Sequence, residues 1–287
     1  MLNNINSIND NIDSINNYDY LDFSYDKMSG LRYGVNLGGN KGITFEPDKN
    51  KFRQLNEEFK SNNKLLSHKI INDSPLKIII NKKNMRKFRF TTCLDMIECL
   101  EGIGETRTLI YNALRLSNEF VFITQPNYDS DVNLFKQGFK THFSDWSRHT
   151  NHLTSNIFFN LLFDFYKQGF IEDFVIFYSD PITDSQDPII HPLNSPKNQP
   201  SFDEDLHPTK KDNVKFKNVY RTLNLIITIN GFKKIDVIYE KIEGEKTVVY
   251  DSRQGIYDNS VEIFTEVDNE DKKGIIGKVN EFLNTDI

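Results

Sequence analysis

The chain has 287 residues, 38% hydrophobic and 13% aromatic, with 23 phenylalanines, enough apolar material for one sizeable α/β core and an appendage. Its formal net charge of −6 argues against a broad phosphate-binding surface, because nucleic-acid binding relies on clustered Lys and Arg, so nucleic acid is not an expected partner. No apolar run approaches the roughly 18 residues of a membrane span, and the start of the chain lacks the basic and apolar stretches of an export signal. The two cysteines, Cys93 and Cys99, show neither a disulfide framework nor metal-ligand spacing. A cytoplasmic protein without a membrane partner is expected.

Residues 1–17 are Asn-rich, yet Ile5, Ile8, Ile12 and Ile15 recur at helical spacing and predict an amphipathic helix or tail, packed on the domain or on a partner chain such as a second copy in a homodimer. Asp19–Ser24 reads as the first strand, Asp26–Gly30 as a turn, Leu31–Gly38 as a short helix and 42–47 as the second strand. A second helix spans Asp48–Ser61, with Asp48 as its N-cap and Phe52, Leu55 and Phe59 on its buried face. The third strand is either 69–71 or 76–80. Phe88–Leu94 is the fourth strand, Glu105–Leu116 a helix, and Phe120–Thr124 the fifth strand, stopped by Pro126. The apolar helix Ser155–Tyr166 precedes two further strands, Phe170–Tyr178 and Arg221–Ile229.

Strands alternating with helices predict an α/β, Rossmann-like, seven-stranded and mostly parallel sheet with helices on both faces, over residues 18–230. Six of the nine prolines fall between Asp180 and Asn213, so 180–213 is expected to be a stiffened binding loop over the ligand face. After Asn230-Gly231 the texture changes. Ile235–Lys241 and Lys246–Tyr250 read as a β-hairpin, making 231–287 a C-terminal hairpin appendage and tail with a short helix near Val279–Leu283.

In open α/β sheets the first strand-to-helix turn faces a ligand, and an acid ending the second strand is placed for ribose hydroxyls. The unit Tyr18–Asp48 has that form and ends on Glu46, which points to a nucleoside-bearing cofactor.

In its order of elements the chain resembles the class I S-adenosylmethionine-dependent methyltransferases. Phe88–Leu100 (FRFTTCLDMIECL) is similar to the family's fourth strand and following turn, Asn118–Asn127 to its fifth strand and Pro-Asn exit, and Asp145–His152 (DWSRHTNH) to the loop that small-molecule and sugar methyltransferases place beside the acceptor. The glycine-rich first turn is replaced by Leu21–Gly30 (LDFSYDKMSG), keeping only the last glycine. The resemblance implies S-adenosylmethionine as cofactor and no metal. Asp22, Ser24 and Gly30 would line its methionine end, Glu46 would bind the ribose, Asp73 (or Asn72) would approach the adenine, and Cys93 and Leu94 would flank the sulfonium. The implied reaction is methyl transfer to a hydroxyl of a small-molecule acceptor, such as a sugar or a nucleotide- or phosphate-bearing precursor.

A hydroxyl acceptor must lose a proton, and histidine is the natural base near neutrality. Five of the six histidines, His142, His149, His152, His191 and His207, lie in the two segments expected on the ligand face. His149 is the expected base by its match to the family loop; Asn127, Trp146, His152, His191 and His207 are the expected acceptor-binding residues. Three rivals remain. A nicotinamide oxidoreductase lacks the G-x-G-x-x-G turn. A zinc hydrolase built on His149, His152, His191 and His207 lacks a conventional ligand triad. A catalytically silent, methyltransferase-like interaction module is favoured by the degraded first turn.

Overall fold

The computed structural model describes residues 17–61, 68–210, 213–254 and the backbone of 256–257, so the isoleucine-striped N-terminus and the expected helix near Val279–Leu283 lie outside the described residues. The chain divides into Met1–Ile256 and Tyr257–Ile287, and the elements that position the site belong to the first unit. They are β1 (Tyr20–Asp22), α1 (Lys27–Asn36), β2 (Gly42–Phe45), α2 (Lys49–Ser61), β3 (Lys69–Ile71), β4 (Phe88–Leu94), α3 (Ile103–Leu116) and β5 (Ser117–Pro126). Then come α4 (Asp131–Lys136), β6 (Phe139–Thr141), α5 (Ser155–Lys167), β7 (Asp173–Pro181), β8 (Ile190–Pro192), β9 (Tyr220–Thr228), α6 (Ile235–Lys241) and β10 (Lys246–Asp251).

In the main sheet these strands lie in the order β10-β7-β9-β5-β4-β1-β2-β3. The pairs β1–β2, β2–β3, β1–β4 and β4–β5 are parallel. β9 is antiparallel to both β5 and β7, so β7 runs in the direction of β5. The loops after β5 and β7 therefore leave the same end of the sheet as those after β1 and β4, the carboxyl end where open α/β sheets hold ligands. This mixed sheet of mostly parallel strands with helices is Rossmann-like.

The centre of the sheet is an aromatic column. Tyr20 is fully buried and stacks on Phe90 with ring centroids 5.1 Å apart, and Phe90 stacks on Phe120 at 4.7 Å, joining β1, β4 and β5. The Tyr20 hydroxyl donates to the Leu31 carbonyl at 2.6 Å and lies 2.9 Å from His68 Nε2, so its polar end is satisfied. Ile235, Ile238 and Ile242 join the same cluster from α6.

Three expectations need correction. The first helix begins at Lys27 rather than Leu31, because the Asp26 carboxylate caps it by accepting from the amides of Met28 and Ser29. Of the two candidates for the third strand, 69–71 pairs with β2, whereas Pro75–Lys77 forms a 3-10 turn. The segment expected as a C-terminal hairpin is instead helix α6 followed by β10, which joins the main sheet antiparallel to β7. Ile235, Ile238 and Ile242 recur at helical spacing, and the Lys246 ammonium donates to the carbonyls of Tyr239 and Ile242 at the helix end.

The proline-rich segment also carries more structure than a loop. Within it β8 pairs antiparallel with β6, and Ile182, Ile189 and Ile190 pack with Leu134, Phe139, Phe216 and Val219 into a small core of their own.

Gly34 shows how tightly the column is clasped: a Cβ added there would lie 2.1 Å from a Tyr20 ring carbon. Tyr20 cannot retreat, since Phe90 lies against its face. Gly34→Ala should therefore lower the unfolding free energy by roughly 1–3 kcal/mol, as overpacking does. Urea denaturation checks this, and an unchanged midpoint would contradict the packing.

Candidate active site

Asp22 ends β1 and is completely buried. Its Oδ1 accepts from the Ser24 amide at 3.1 Å, the Ser24 hydroxyl, and the Thr92 hydroxyl at 3.1 Å; its Oδ2 accepts from the Thr44 hydroxyl at 2.7 Å. One carboxylate thus ties together the ends of β1, β2 and β4. Burial pushes its pKa up, while neighbouring Lys27 and the hydroxyls of Ser24 and Thr44 pull it down. Ser24 is used twice, since its hydroxyl also accepts from the Leu94 amide at 2.9 Å. The amides of Phe23 and Tyr25 donate to the carbonyls of Thr92 and Leu94, continuing the β1–β4 pairing beyond the strand. Gly30 is required here by close approach, because a Cβ would fall 2.2 Å from Asp22 Oδ1 and 2.5 Å from Ser24 Oγ.

Lys27, the first residue of α1, folds back into this turn. Only 6% exposed, it donates from Nζ to the Ser24 carbonyl, and its charge interacts with Asp22, Glu46, Cys93 and Asp26. Burial lowers its pKa, and those neighbours oppose the shift. Glu46 is buried at the exit of β2, where Oε1 accepts from the Asp48 amide at 2.8 Å. Asp73, half-buried beyond β3, accepts from the Ser74 amide at 2.8 Å. Cys93 is buried near the end of β4, followed by the partly buried Leu94.

The structure thus gathers Asp22, Ser24, Gly30, Glu46 and Cys93 around one point, but Asp22 and Ser24 are spent on one another and on neighbouring strands. Glu46 offers a carboxylate at the end of β2 that suits a ribose, and the Lys27 ammonium occupies the turn on the Ser24 carbonyl. A sulfonium beside that ammonium would be repelled.

A cavity of about 420 Å³ opens beyond the exit of β4. The exit of β4 contributes Asp95, Glu98 and Cys99; the segment after β5 contributes His142, Trp146, Arg148 and His149; β9 contributes Arg221 and Thr222. A neighbouring cavity of about 900 Å³ shares Asp95 and Thr222 with it and is walled by Tyr33, Leu94, Thr124 and Asn224.

Only part of the expected acceptor set reaches this space. His149 and Trp146 line it. His149 Nδ1 lies 3.2 Å from the Phe143 carbonyl and 3.4 Å from the Tyr128 hydroxyl, and the tautomer that donates from Nδ1 to the carbonyl keeps the lone pair on Nε2. Burial lowers the His149 pKa, the Phe143 bond opposes this, and His152 adds to the lowering. His152 is exposed, stacks on Tyr128 at 4.1 Å and points Nε2 at the His149 carbonyl.

His191 and His207 do not line the cavity. They are buried in the proline-rich lobe with ring centroids 4.5 Å apart, where His191 meets the Pro188 carbonyl and His207 the backbone of Asp203. Asn127 is buried as well, and its Oδ1 accepts from the Asp129 amide at 3.1 Å. The expected crowd of acceptor-side imidazoles reduces to His149 and His142.

Sequence reasoning missed Glu98, Cys99, Arg148 and Arg221 as wall residues, while His142 stands on the ligand face as expected. Glu98 is 1% exposed, its Oε2 has no hydrogen-bond partner, and burial followed by repulsion from Asp95 pushes its carboxyl up to about 8. The Cys99 thiol is pushed up to about 12 by burial, then by Glu98 and Asp95. The available signal was the run Asp95–Cys99 directly after a buried strand, a place where side chains meet ligands.

No protein-family profile matches the sequence, and no curated protein matches it. Among solved structures, the methyltransferase domain of bacterial CtHen1 aligns at a TM-score of 0.44 and 10% identity over 76% of this chain and 93% of its own. The YcgJ protein of Bacillus subtilis aligns at 0.47 and 9% identity over 74% and 92%. Magnesium protoporphyrin IX methyltransferase from Synechocystis, solved with bound SAH, aligns at 0.40 and 9% over 76% and 81%. The strand order by itself defines a Rossmann-like, mostly parallel sheet. Likenesses this distant do not say what it binds or acts on.

The histidines give the molecule a pH signature. Burial lowers His191 from 6.5 to about 4, helped by His207 and Lys210 and opposed by the Pro188 carbonyl and Asp145. Burial likewise lowers His142 from 6.5 to about 4, helped by His191, His149 and Arg221 and opposed by Asp145. Between those values the unfolded chain holds more protons than the folded one, so stability present above pH 6.5 is lost as the pH falls towards 4. Urea unfolding across that window should show the loss, with a shallower slope in His191→Asn. Equal slopes would remove His191 as a cause.

Proposed function

We propose that the chain is an S-adenosylmethionine-dependent methyltransferase whose acceptor is a small molecule held in the cavity beside His149. What supports this reading is the presence, at the carboxyl ends of β1, β2 and β4, of a buried turn and a carboxylate on Glu46, with a cavity lined by His149 beyond the exit of β4. Bound there, the cofactor would supply an electrophilic methyl group. Glu46 would accept from the ribose, Asp73 would stand near the adenine, and Cys93 with Leu94 would border the reacting centre. Asp22, Ser24 and Gly30 would hold the turn in shape, and Lys27 would swing out to admit the cofactor.

On the acceptor side, Nε2 of His149 would take the proton of a hydroxyl. Trp146 offers a face for a ring, while Arg148 and Arg221 suit an anionic group, in keeping with a sugar or a nucleotide- or phosphate-bearing precursor. Arg221 already holds Asp187 at 3.0 Å, which leaves Arg148 as the more available of the two.

One observation favours a second reading, a catalytically silent module: the Lys27 ammonium is folded into the first turn on the Ser24 carbonyl, beside Asp22 and Glu46. Calorimetry with S-adenosylmethionine separates the two. Under the first reading the wild type binds, Lys27→Ala binds more tightly, and Glu46→Ala loses roughly 1–3 kcal/mol of binding free energy. His149→Ala should keep cofactor affinity and lower the transfer rate about 10²–10⁴-fold. Absence of binding in both the wild type and Lys27→Ala would leave the silent module standing.

A further inference from the structure

We propose that Glu98, Cys99 and His149 form a binding site for a divalent cation of the zinc class, open to the acceptor cavity. Each residue offers one ligand atom, and these atoms lie within 4.8 Å of one another. Zinc bond lengths of about 2.0–2.3 Å place tetrahedral donors roughly 3.3–3.8 Å apart, so side-chain rotations of about 1 Å would close the set. A carboxylate oxygen, a thiolate and an imidazole form a borderline-soft donor set that suits zinc better than magnesium or calcium, which take oxygen ligands.

Two independent features point to a missing ligand. The first is Glu98, which is 1% exposed and whose Oε2 is buried without a hydrogen-bond partner. Such an atom is costly unless something completes it. The second is the orientation of His149. Its Nδ1 lies 3.2 Å from the Phe143 carbonyl and 3.4 Å from the Tyr128 hydroxyl, and a ring N–H directed at a backbone carbonyl is the usual support of a metal-bound histidine.

The backbone also holds the three residues in register. Glu98 and Cys99 belong to the 3-10 turn Ile97–Cys99 after β4, and His149 lies 50 residues on in the loop after β5. The amides of Thr150 and Asn151 both donate to the Glu98 carbonyl, at 2.9 and 3.2 Å. The Asn151 side-chain amide donates to the Ile97 carbonyl at 3.0 Å and the Thr150 hydroxyl to the Leu100 carbonyl at 2.9 Å. Four hydrogen bonds therefore fasten the two ligand-bearing segments together. All three residues line the 420 Å³ cavity, so the fourth position of a tetrahedral ion would face it. Three protein ligands with one open position is the arrangement of catalytic rather than structural zinc.

The site does not rest on methyl transfer. If both hold, the ion takes the lone pair that His149 would otherwise use as a base, and a hydroxyl bound at the open position is acidified by the metal instead.

The test uses the full-length chain, stripped with chelator and titrated with zinc chloride and, in parallel, cobalt(II) chloride, without S-adenosylmethionine. The expected results are one zinc per chain and a sulfur-to-cobalt charge-transfer band. Cys99→Ser should abolish the band and Cys93→Ser should retain it. Cys99→Ser and His149→Ala should each weaken zinc binding on the order of tenfold or more. Circular dichroism of each variant separates loss of a ligand from loss of fold, and the wild-type band decides the matter if a variant fails to fold. No saturable zinc binding by the wild type, or zinc binding unchanged in Cys99→Ser, which would move the ion to the other histidines, overturns the proposal.

Discussion

The ligand face is organised by a single buried carboxylate. Asp22 has no exposed surface, yet it accepts hydrogen bonds from Ser24, Thr44 and Thr92, which stand on the turn, on β2 and on β4. A charge in that position is tolerated only when it is paired and hydrogen-bonded, and Lys27 supplies the opposite sign. The cost of burying the pair is offset by fixing the ends of three adjacent strands and the start of α1. Gly30 follows from this, because only a residue without Cβ lets the helix approach so closely. The same bonds make the first turn dense where a glycine-rich turn would be open. Shape of the fold and closure of its cradle therefore have one cause.

The second half of the face depends on strand direction. β9 runs antiparallel between β5 and β7, which lets β7 point the same way as β5 and brings their following loops to one end. The two loops are then tied at different depths. The loop after β5 is fastened to the turn after β4 through Glu98, Thr150 and Asn151, which sets His149 and Trp146 at the cavity. The proline-rich segment instead folds against α4 and β6 and buries His191 and His207 in its own interior. Residues that share a chain segment in the sequence are thus divided by burial between a wall and a core.

What the sequence made legible follows from period and punctuation. Alternation and β-branching marked β1, β2, β4, β7 and β9 closely, and the direction of travel through alternating strands and helices fixed the class of fold. The misread elements share one physical cause, tertiary context. Ile235-Asp-Val-Ile-Tyr-Glu-Lys contains enough β-branched residues to look like a strand, and becomes helix because Ile235 and Ile238 meet the sheet as one stripe. The start of α1 was masked by the expectation of a long turn, although Asp26 is a good N-cap. Glu46 was legible as an acid at the exit of β2, and His149 as part of the segment after β5. Cys99 was not legible as their neighbour, because the 50 residues that separate it from His149 hide a juxtaposition that only the β4–β5 pairing creates.

Charge explains why the two ends of this face differ. At the cradle, the acids Asp22 and Glu46 already have a cation in Lys27, so an incoming positively charged ligand must displace what is there. At the cavity the balance is reversed. Glu98 is buried beside Asp95, no salt bridge reaches it among the described residues, and its carboxyl is forced towards the protonated state. Arg148 interacts with the Cys99 thiol from the far wall and also donates to the Tyr25 hydroxyl at 3.0 Å, so it leaves Glu98 unneutralised. A buried carboxyl pushed up to about 8 is mostly protonated at neutral pH, and a cation reaching it would favour the charged form. The first turn thus carries its own cation in Lys27, while a few residues away the exit of β4 buries a carboxyl that no salt bridge reaches among the described residues.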